Sequence, residues 1–180
     1  VNYKDALAAT GAGRIIRRFP CNGGIDAAGT VLHSAVPQFR EGDPVIVHGF
    51  GLGVSHDGGY AGLLRAPADW VVALPGGIDA VDAITLGVAG FTTALAIDIM
   101  EHNGLEPANG KVLVNGATGG CATIAIDMLS KLGFHVVALT GKEGEHDYLR
   151  SLGAAEVLSR NAADFGGRPL EKAQWAAALE

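Results

Sequence analysis

The stretch KVLVNGATGGCATIAIDML, residues 111–129, runs from an apolar strand through a glycine-rich turn into an apolar helix. Gly116, Gly119 and Gly120 stand between Val114 and a helix starting near Ala122. A dinucleotide pyrophosphate needs this order: one glycine for the tight turn, others for close approach of backbone N–H groups, and a helix N-terminus facing the anion. The third fingerprint position accepts alanine, so Ala122 is a packing variant. An ordinary tight strand–helix loop is the alternative, and the flanking strand–helix–strand pattern favours the nucleotide. About 20 residues on, an NAD site places a carboxylate for the ribose 2′-hydroxyl. Here that place reads ALTGKEG. A hydroxyl (Thr140), a glycine amide (Gly141) and a cation (Lys142) suit a 2′-phosphate, so the expected cofactor is NADP. Glu143 opposes this on charge alone, although acids also open helices well.

Other reactive side chains form no such pattern. Cys21 and Cys121 are isolated and no Cys/His cluster exists, so neither a disulfide framework nor a zinc site is expected. No motif for covalent catalysis stands out. For a nicotinamide enzyme without zinc, the remaining chemistry is hydride delivery to an activated C=C or a quinone. His56 in a loop and His146 in a helix read as solvated residues before catalytic or phosphate-binding ones. Asp26 reads as a hydrogen-bonded structural group inside a strand, and Cys121 as a small packing residue. Arg14, Arg17 and Arg18 form either a solvated basic face or a site for substrate phosphates.

The elements that must position these groups fall into two textures. Up to about residue 75, short apolar runs are cut by Gly, Pro and Asp and read as irregular β structure. Beyond it comes a helix capped by Asp79. A second helix follows, with apolar Phe91, Leu95 and Ile99. Continuous apolar strands then alternate with helices, the signature of a parallel sheet with right-handed crossovers. The tail, residues 168–180, reads as helical at its end. The 180 residues are 48% hydrophobic and 18% charged, enough for a packed core. A net charge of −6 argues against a nucleic-acid binder. No apolar run is read as long enough to span a membrane, and with no signal-peptide pattern the expectation is a cytoplasmic protein. The chain opens on VNYKDAL without a methionine, and residues are expected to precede it.

The segments VNYKDALAATGAGRIIRRFP, GIDAAGTV, GGYAGLLR, VAGFTTALAI, NGATGGCATIAI, LTGKEGEHDYLRSLGA and RPLEKAQWAAAL occur in that order. Together they resemble the zinc-independent quinone-oxidoreductase branch of the medium-chain dehydrogenase/reductase superfamily, within it the bacterial NADPH-dependent acrylyl-CoA reductase group. The resemblance covers essentially the whole chain. It implies an α/β chain: a partial GroES-like β-rich catalytic domain at residues 1–78, then a partial Rossmann NADP-binding domain at 79–180, truncated at both ends and after about the third strand. It implies an active site in the cleft between the domains and, in the full-length protein, a homodimer. It also implies a small-molecule substrate, an enoyl-CoA or a quinone, with neither nucleic acid nor membrane as partner.

By the same resemblance, Tyr3 lies against the nicotinamide half of the cofactor and Asn2 beside the substrate. Thr118, Gly119, Gly120 and Cys121 match the pyrophosphate turn, and Thr140, Gly141 and Lys142 match the adenosine 2′-phosphate site. Arg160 reaches the adenosine end and Thr92 faces the nicotinamide. The implied reaction is reduction of acrylyl-CoA to propionyl-CoA, with Asn2 and Tyr3 as donors to the carbonyl oxygen that gains charge. A quinone reductase and a non-catalytic NADP-binding fragment are the alternatives. Two departures touch the catalytic half: Gly23 stands where relatives commonly have proline, and Gly62 where they often carry an acid.

Overall fold

Asn2 and Asp5 are spaced as the first and last members of a helix-capping pair, and they open a helix in a segment read above as irregular β. In the computed structural model, which describes residues 1–161 and 172–180, α1 spans Tyr3–Thr10. Asn2 precedes it in extended backbone, its N–H donates to Asp5 Oδ2 at 2.9 Å, and Gly11 ends it at φ +67°. The correction has a local cause. The capping pair and an alanine-rich interior outweigh the glycines that follow.

The chain divides into two units, residues 1–88 and 89–180. The first contains an antiparallel sheet of β1 (Asp26–Thr30), β2 (Pro44–His48) and β3 (Val71–Ala73), in the order β1-β2-β3. Val45, Ile46 and Val47 of β2 are buried, with Ile25 and Leu52. A backbone ladder ties residues 22–24 to 58–60: the N–H groups of Gly58, Gly59 and Tyr60 donate to the carbonyls of Asn22, Gly24 and Gly23 at 2.8, 2.9 and 3.0 Å. Side chains have no room there. A Cβ on Gly59 would run into the Asp26 carbonyl oxygen.

The helix α2 (Ala80–His102) is capped as expected, Asp79 Oδ1 accepting the N–H groups of Val81 and Asp82 at 2.8 Å each. It breaks at Gly87, which sits at φ +48°, ψ −148°. By length and composition α2 could cross a membrane, its best 18-residue window having a mean hydropathy of 1.7. The expectation that no such stretch exists is therefore corrected: Asp82 and Asp98 interrupt the apolar run in sequence but do not outweigh it. Only 28% of that window is buried, and Ala83, Thr93 and Ile97 are among the helix's buried residues. Beyond the break, Phe91, Leu95 and Ile99, the residues that signalled this helix, are 55%, 46% and 52% exposed.

The second unit is built on β4 (Lys111–Asn115), α3 (Gly120–Lys131), β5 (His135–Thr140), α4 (His146–Ser151), β6 (Glu156–Ser159) and β7 (Ala177–Leu179). The four strands pair in parallel in the order β6-β5-β4-β7. Consecutive apolar residues in β4 and β5 cover both faces: Val112, Val114, Val136 and Ala138 join one core with α3, and Leu113, Val137 and Leu139 the other. In α3 the buried residues are Ala122, Ala125, Ile126 and Leu129, the i, i+3, i+4, i+7 stripe of a helix lying on a sheet. Each fully buried Val or Leu contributes roughly 1.5–3 kcal/mol.

β7 overturns two expectations. The tail ends as a strand, not a helix, and the sheet has a fourth strand. Ala177, Ala178 and Leu179 pair with Val112, Leu113 and Val114. Alanine is the best helix former, but propensity is a weak prior, and sheet pairing with Leu179 buried overrides it. The front of that tail, to residue 171, lies outside the described residues.

Candidate active site

In the second unit the sequence-predicted cofactor residues converge on the C-terminal ends of the strands, where open parallel sheets bind ligands. Gly116 follows β4 at φ +59°, and no heavy atom lies within 4 Å of where its Cβ would be. The turn is pinned from both sides: Gly116 N–H donates to Asn115 Oδ1 at 2.8 Å, Ala117 N–H to the Leu139 carbonyl at 3.0 Å, and Gly119 N–H to the Gly116 carbonyl at 2.8 Å. Thr118 and Cys121 are half-buried, and Gly119 and Gly120 exposed. The first N–H groups of a helix lack internal partners. In α3 they belong to Gly120, Cys121 and Ala122, since the N–H of Thr123 is taken by the Gly119 carbonyl at 2.9 Å.

The next strand ends supply the cations. Thr140 is 2% exposed, and its hydroxyl oxygen accepts the Lys142 N–H at 3.0 Å, so this hydroxyl shapes the turn around Gly141. Arg160 N–H donates to the Thr140 carbonyl at 2.8 Å, which brings Arg160 beside the Thr140–Lys142 turn. Lys142 and Arg160 are exposed and form no ion pair among the described residues. The acid that counted against a phosphate, Glu143, has Oε1 3.5 Å from the Ser159 hydroxyl. Thr92 is exposed on α2. Its neighbour Thr93, which the sequence reading passed over, is 1% exposed and donates to the Cys121 carbonyl at 3.0 Å, locking α2 to the first turn of α3. A cavity of about 450 Å³ lined by Met100, Leu105, Asn109 and Ala177 opens at the opposite end of the sheet and contains none of these residues.

The residues present fit a dinucleotide phosphate. Space lies open where side chains on Gly116 and Gly120 would stand, a 12-residue helix begins there with free N–H groups, and Lys142 and Arg160 follow the ends of the neighbouring strands β5 and β6. Among the described residues, nothing at the end of β5 presents a carboxylate to a ribose hydroxyl in the usual NAD manner.

In the first unit, Tyr3 is 80% exposed. Asn2 is half-buried, and its amide Nδ2 donates to Asp26 Oδ2 at 2.7 Å and lies 3.5 Å from Asp5 Oδ2. Its donors therefore face two carboxylates, which leaves its side-chain carbonyl to meet a ligand. Asp5 is 5% exposed and accepts the Ile25 N–H at 3.1 Å. Partial loss of solvent, reinforced by the Asp5 and Asp26 carboxylates, holds the Tyr60 hydroxyl above the usual tyrosine range. His56 is held within its own loop, its Nδ1–H donating to the Asp57 carbonyl at 2.9 Å, with its ring against Trp70. Arg18 pairs with Asp57 at 2.7 Å. Among the described residues no group of three His, Cys, Asp or Glu side chains could hold a metal ion.

Comparison with known proteins places this arrangement. The alcohol dehydrogenase GroES-like domain family matches residues 1–76. The chain is 49% identical over its whole length to the probable acrylyl-CoA reductase of Escherichia coli, covering 55% of that protein. It is 28% identical to the quinone oxidoreductase of Sus scrofa, over 92% of this chain and 48% of the other. Among solved structures, the yhdH oxidoreductase of Salmonella enterica in complex with NADP superposes at TM-score 0.95, with 48% identity, over 99% of this chain and 55% of that one. The Bacillus subtilis yhfP protein with NAD bound superposes at 0.93, with 49% identity, over 99% and 54%. The chain thus spans about half the length of these relatives.

Proposed function

We propose that the chain belongs to the medium-chain dehydrogenase/reductase superfamily and that its full-length parent is an NADPH-dependent reductase of a short 2-enoyl-CoA, acrylyl-CoA first. The observation that carries the cofactor is the Thr140–Lys142 turn with Arg160 fastened beside it, two cations where an NAD site would place an acid. The name of the Escherichia coli relative supplies the substrate class.

NADPH, when bound, supplies the hydride. The chain's own residues do the rest. The turn at Thr118–Cys121 and the N-terminus of α3 hold the pyrophosphate, and Lys142 and Arg160 neutralise the 2′-phosphate. Thr92 faces the nicotinamide. Tyr3, held out from α1, donates to the thioester carbonyl oxygen as charge builds there. Asn2, whose donors are engaged, flanks the substrate through its carbonyl oxygen. Residues 1–78 would act as the catalytic portion and 79–180 as the cofactor portion, in a protein that works as a homodimer in the cytoplasm.

The quinone oxidoreductase among the relatives keeps quinone reduction as a second reading. The test follows NADPH absorbance with the full-length parent, offering acrylyl-CoA and benzoquinone in parallel, with NADH as the competing donor. Preference for acrylyl-CoA with NADPH supports the first reading and preference for benzoquinone the second. Turnover of neither removes both.

A further inference from the structure

Two carboxylates clip the start of α1 to the start of β1 in opposite senses. Asp5 of α1 accepts the Ile25 N–H at 3.1 Å, while Asp26 accepts the Asn2 amide at 2.7 Å. Asp26 is also committed on its other oxygen. Oδ1 accepts the Val88 N–H at 3.0 Å, the first donor beyond the break in α2, and lies 4.0 Å from His48 Nδ1. The break is shaped to admit this carboxylate: a Cβ on Gly87 would stand 2.8 Å from Asp26 Oδ2. Tyr3 sits next to the clipped Asn2 and points into solvent.

A carboxylate with a side chain only 10% exposed must be matched by donors, or its desolvation is uncompensated. Asp26 obtains two from segments far apart in sequence, and one of these is the residue preceding Tyr3. We propose that Asp26 is a positioning residue: by holding the Asn2 amide it fixes which edge of Asn2 faces the substrate and the direction in which Tyr3 is presented. This rests on the reductase reading above.

Asp26→Asn in the full-length parent is the informative change. It keeps an oxygen for the Val88 N–H, so the fold is retained, but it presents an NH2 group to the Asn2 amide, which must flip or leave. Expected is a fall in kcat with acrylyl-CoA of about tenfold or more, with KM for NADPH and Tm close to the parent's. Tyr3→Phe combined with Asp26→Asn should be no slower than the slower single variant, because one change already undoes what the other acts through. Parental turnover by Asp26→Asn, or effects that multiply, overturns the proposal. A second arm needs no substrate: the side-chain amide protons of Asn2, followed by NMR, exchange slowly in the parent and fast in Asp26→Asn. Fast exchange in both also overturns it. Slow exchange in a parent that reduces neither acrylyl-CoA nor benzoquinone sinks the reductase reading, and the positioning role with it, while leaving the clip itself standing.

Discussion

Two glycine-rich segments in this chain look alike in sequence and differ in what surrounds them. In the first unit, Gly53, Gly58 and Gly59 face their own protein: a Cβ on Gly53 would lie 2.8 Å from the Gly24 backbone, and one on Gly58 or Gly59 would overlap carbonyl oxygens. In the second, Gly116 faces open space, and the nearest atom to a Cβ on Gly120 is the methyl of Ala89 at 3.8 Å, an ordinary contact. The first set of glycines is explained by the fold. In the second, the positive φ of Gly116 asks for glycine, whereas nothing in the chain's own packing asks for it at Gly120, and open space beside a helix N-terminus is where a ligand's atoms can enter.

Substitution separates the two. Gly59→Ala should be the most damaging change, since neither backbone can yield: soluble yield collapses or Tm falls by more than about 10 °C in thermal denaturation. Gly120→Ala should leave Tm within about 3 °C, since alanine is also the better helix former. NADPH affinity, read by fluorescence titration, should fall about tenfold or more because the backbone can no longer approach the pyrophosphate. Equal Tm losses in both would erase the distinction.

Lys142→Glu sharpens it further. On the proposed reading the turn serves the pyrophosphate common to both nicotinamide cofactors, while Lys142 meets only the 2′-phosphate. NADPH binding should weaken about tenfold more than NADH binding, and equal losses would count against the assignment. The smallest effect lies at the other end of the sheet, where the charges satisfy one another. Glu156 Oε1 accepts from Lys111 Nζ at 2.6 Å and His135 Nε2 at 2.7 Å. The hydrogen bond from Lys111, then that from His135, holds the Glu156 carboxyl below the usual range. A depressed carboxylate stabilises the fold above its unfolded pKa, and the contribution is lost as pH falls through the lower folded value. Glu156→Gln should therefore cost less than about 1 kcal/mol in urea denaturation at pH 7, because the pair is solvent-exposed. The difference should shrink as pH falls through the lowered folded-state value of the Glu156 carboxyl and vanish once it is protonated in both states.

What the sequence revealed follows the range of the forces involved. The glycine turn, the Asp79 cap and the apolar strands β4 and β5 are specified by near neighbours and were read correctly. The start of α1 was legible in Asn2 with Asp5 three residues on, but an eight-residue helix ended by Gly11 is too short to show a periodic apolar stripe. β7 carried no signal of its own, because three residues of which two are alanine become a strand only through pairing with β4. The exposed side of Phe91, Leu95 and Ile99 was also illegible, since periodicity gives a stripe but not what it meets. For Asn2, the resemblance implied a donor to substrate, and only the positions of Asp5 and Asp26 reveal that its N–H groups are engaged.

The placement of β7 has a consequence for the order in which the sheet is made. β4, β5 and β6 follow one another along the chain, and each can pair as soon as it is synthesised. The side of β4 facing β7 must wait: the hydrogen bond from Asn115 to Glu180 closes a separation of 65 residues. Such long-range parallel pairing forms late, since loop closure is costly before the contacts reward it. Until residues 177–179 leave the ribosome, β4, with three consecutive buried residues, is an open edge, and for that interval a nascent chain is at its most vulnerable to pairing with the wrong strand.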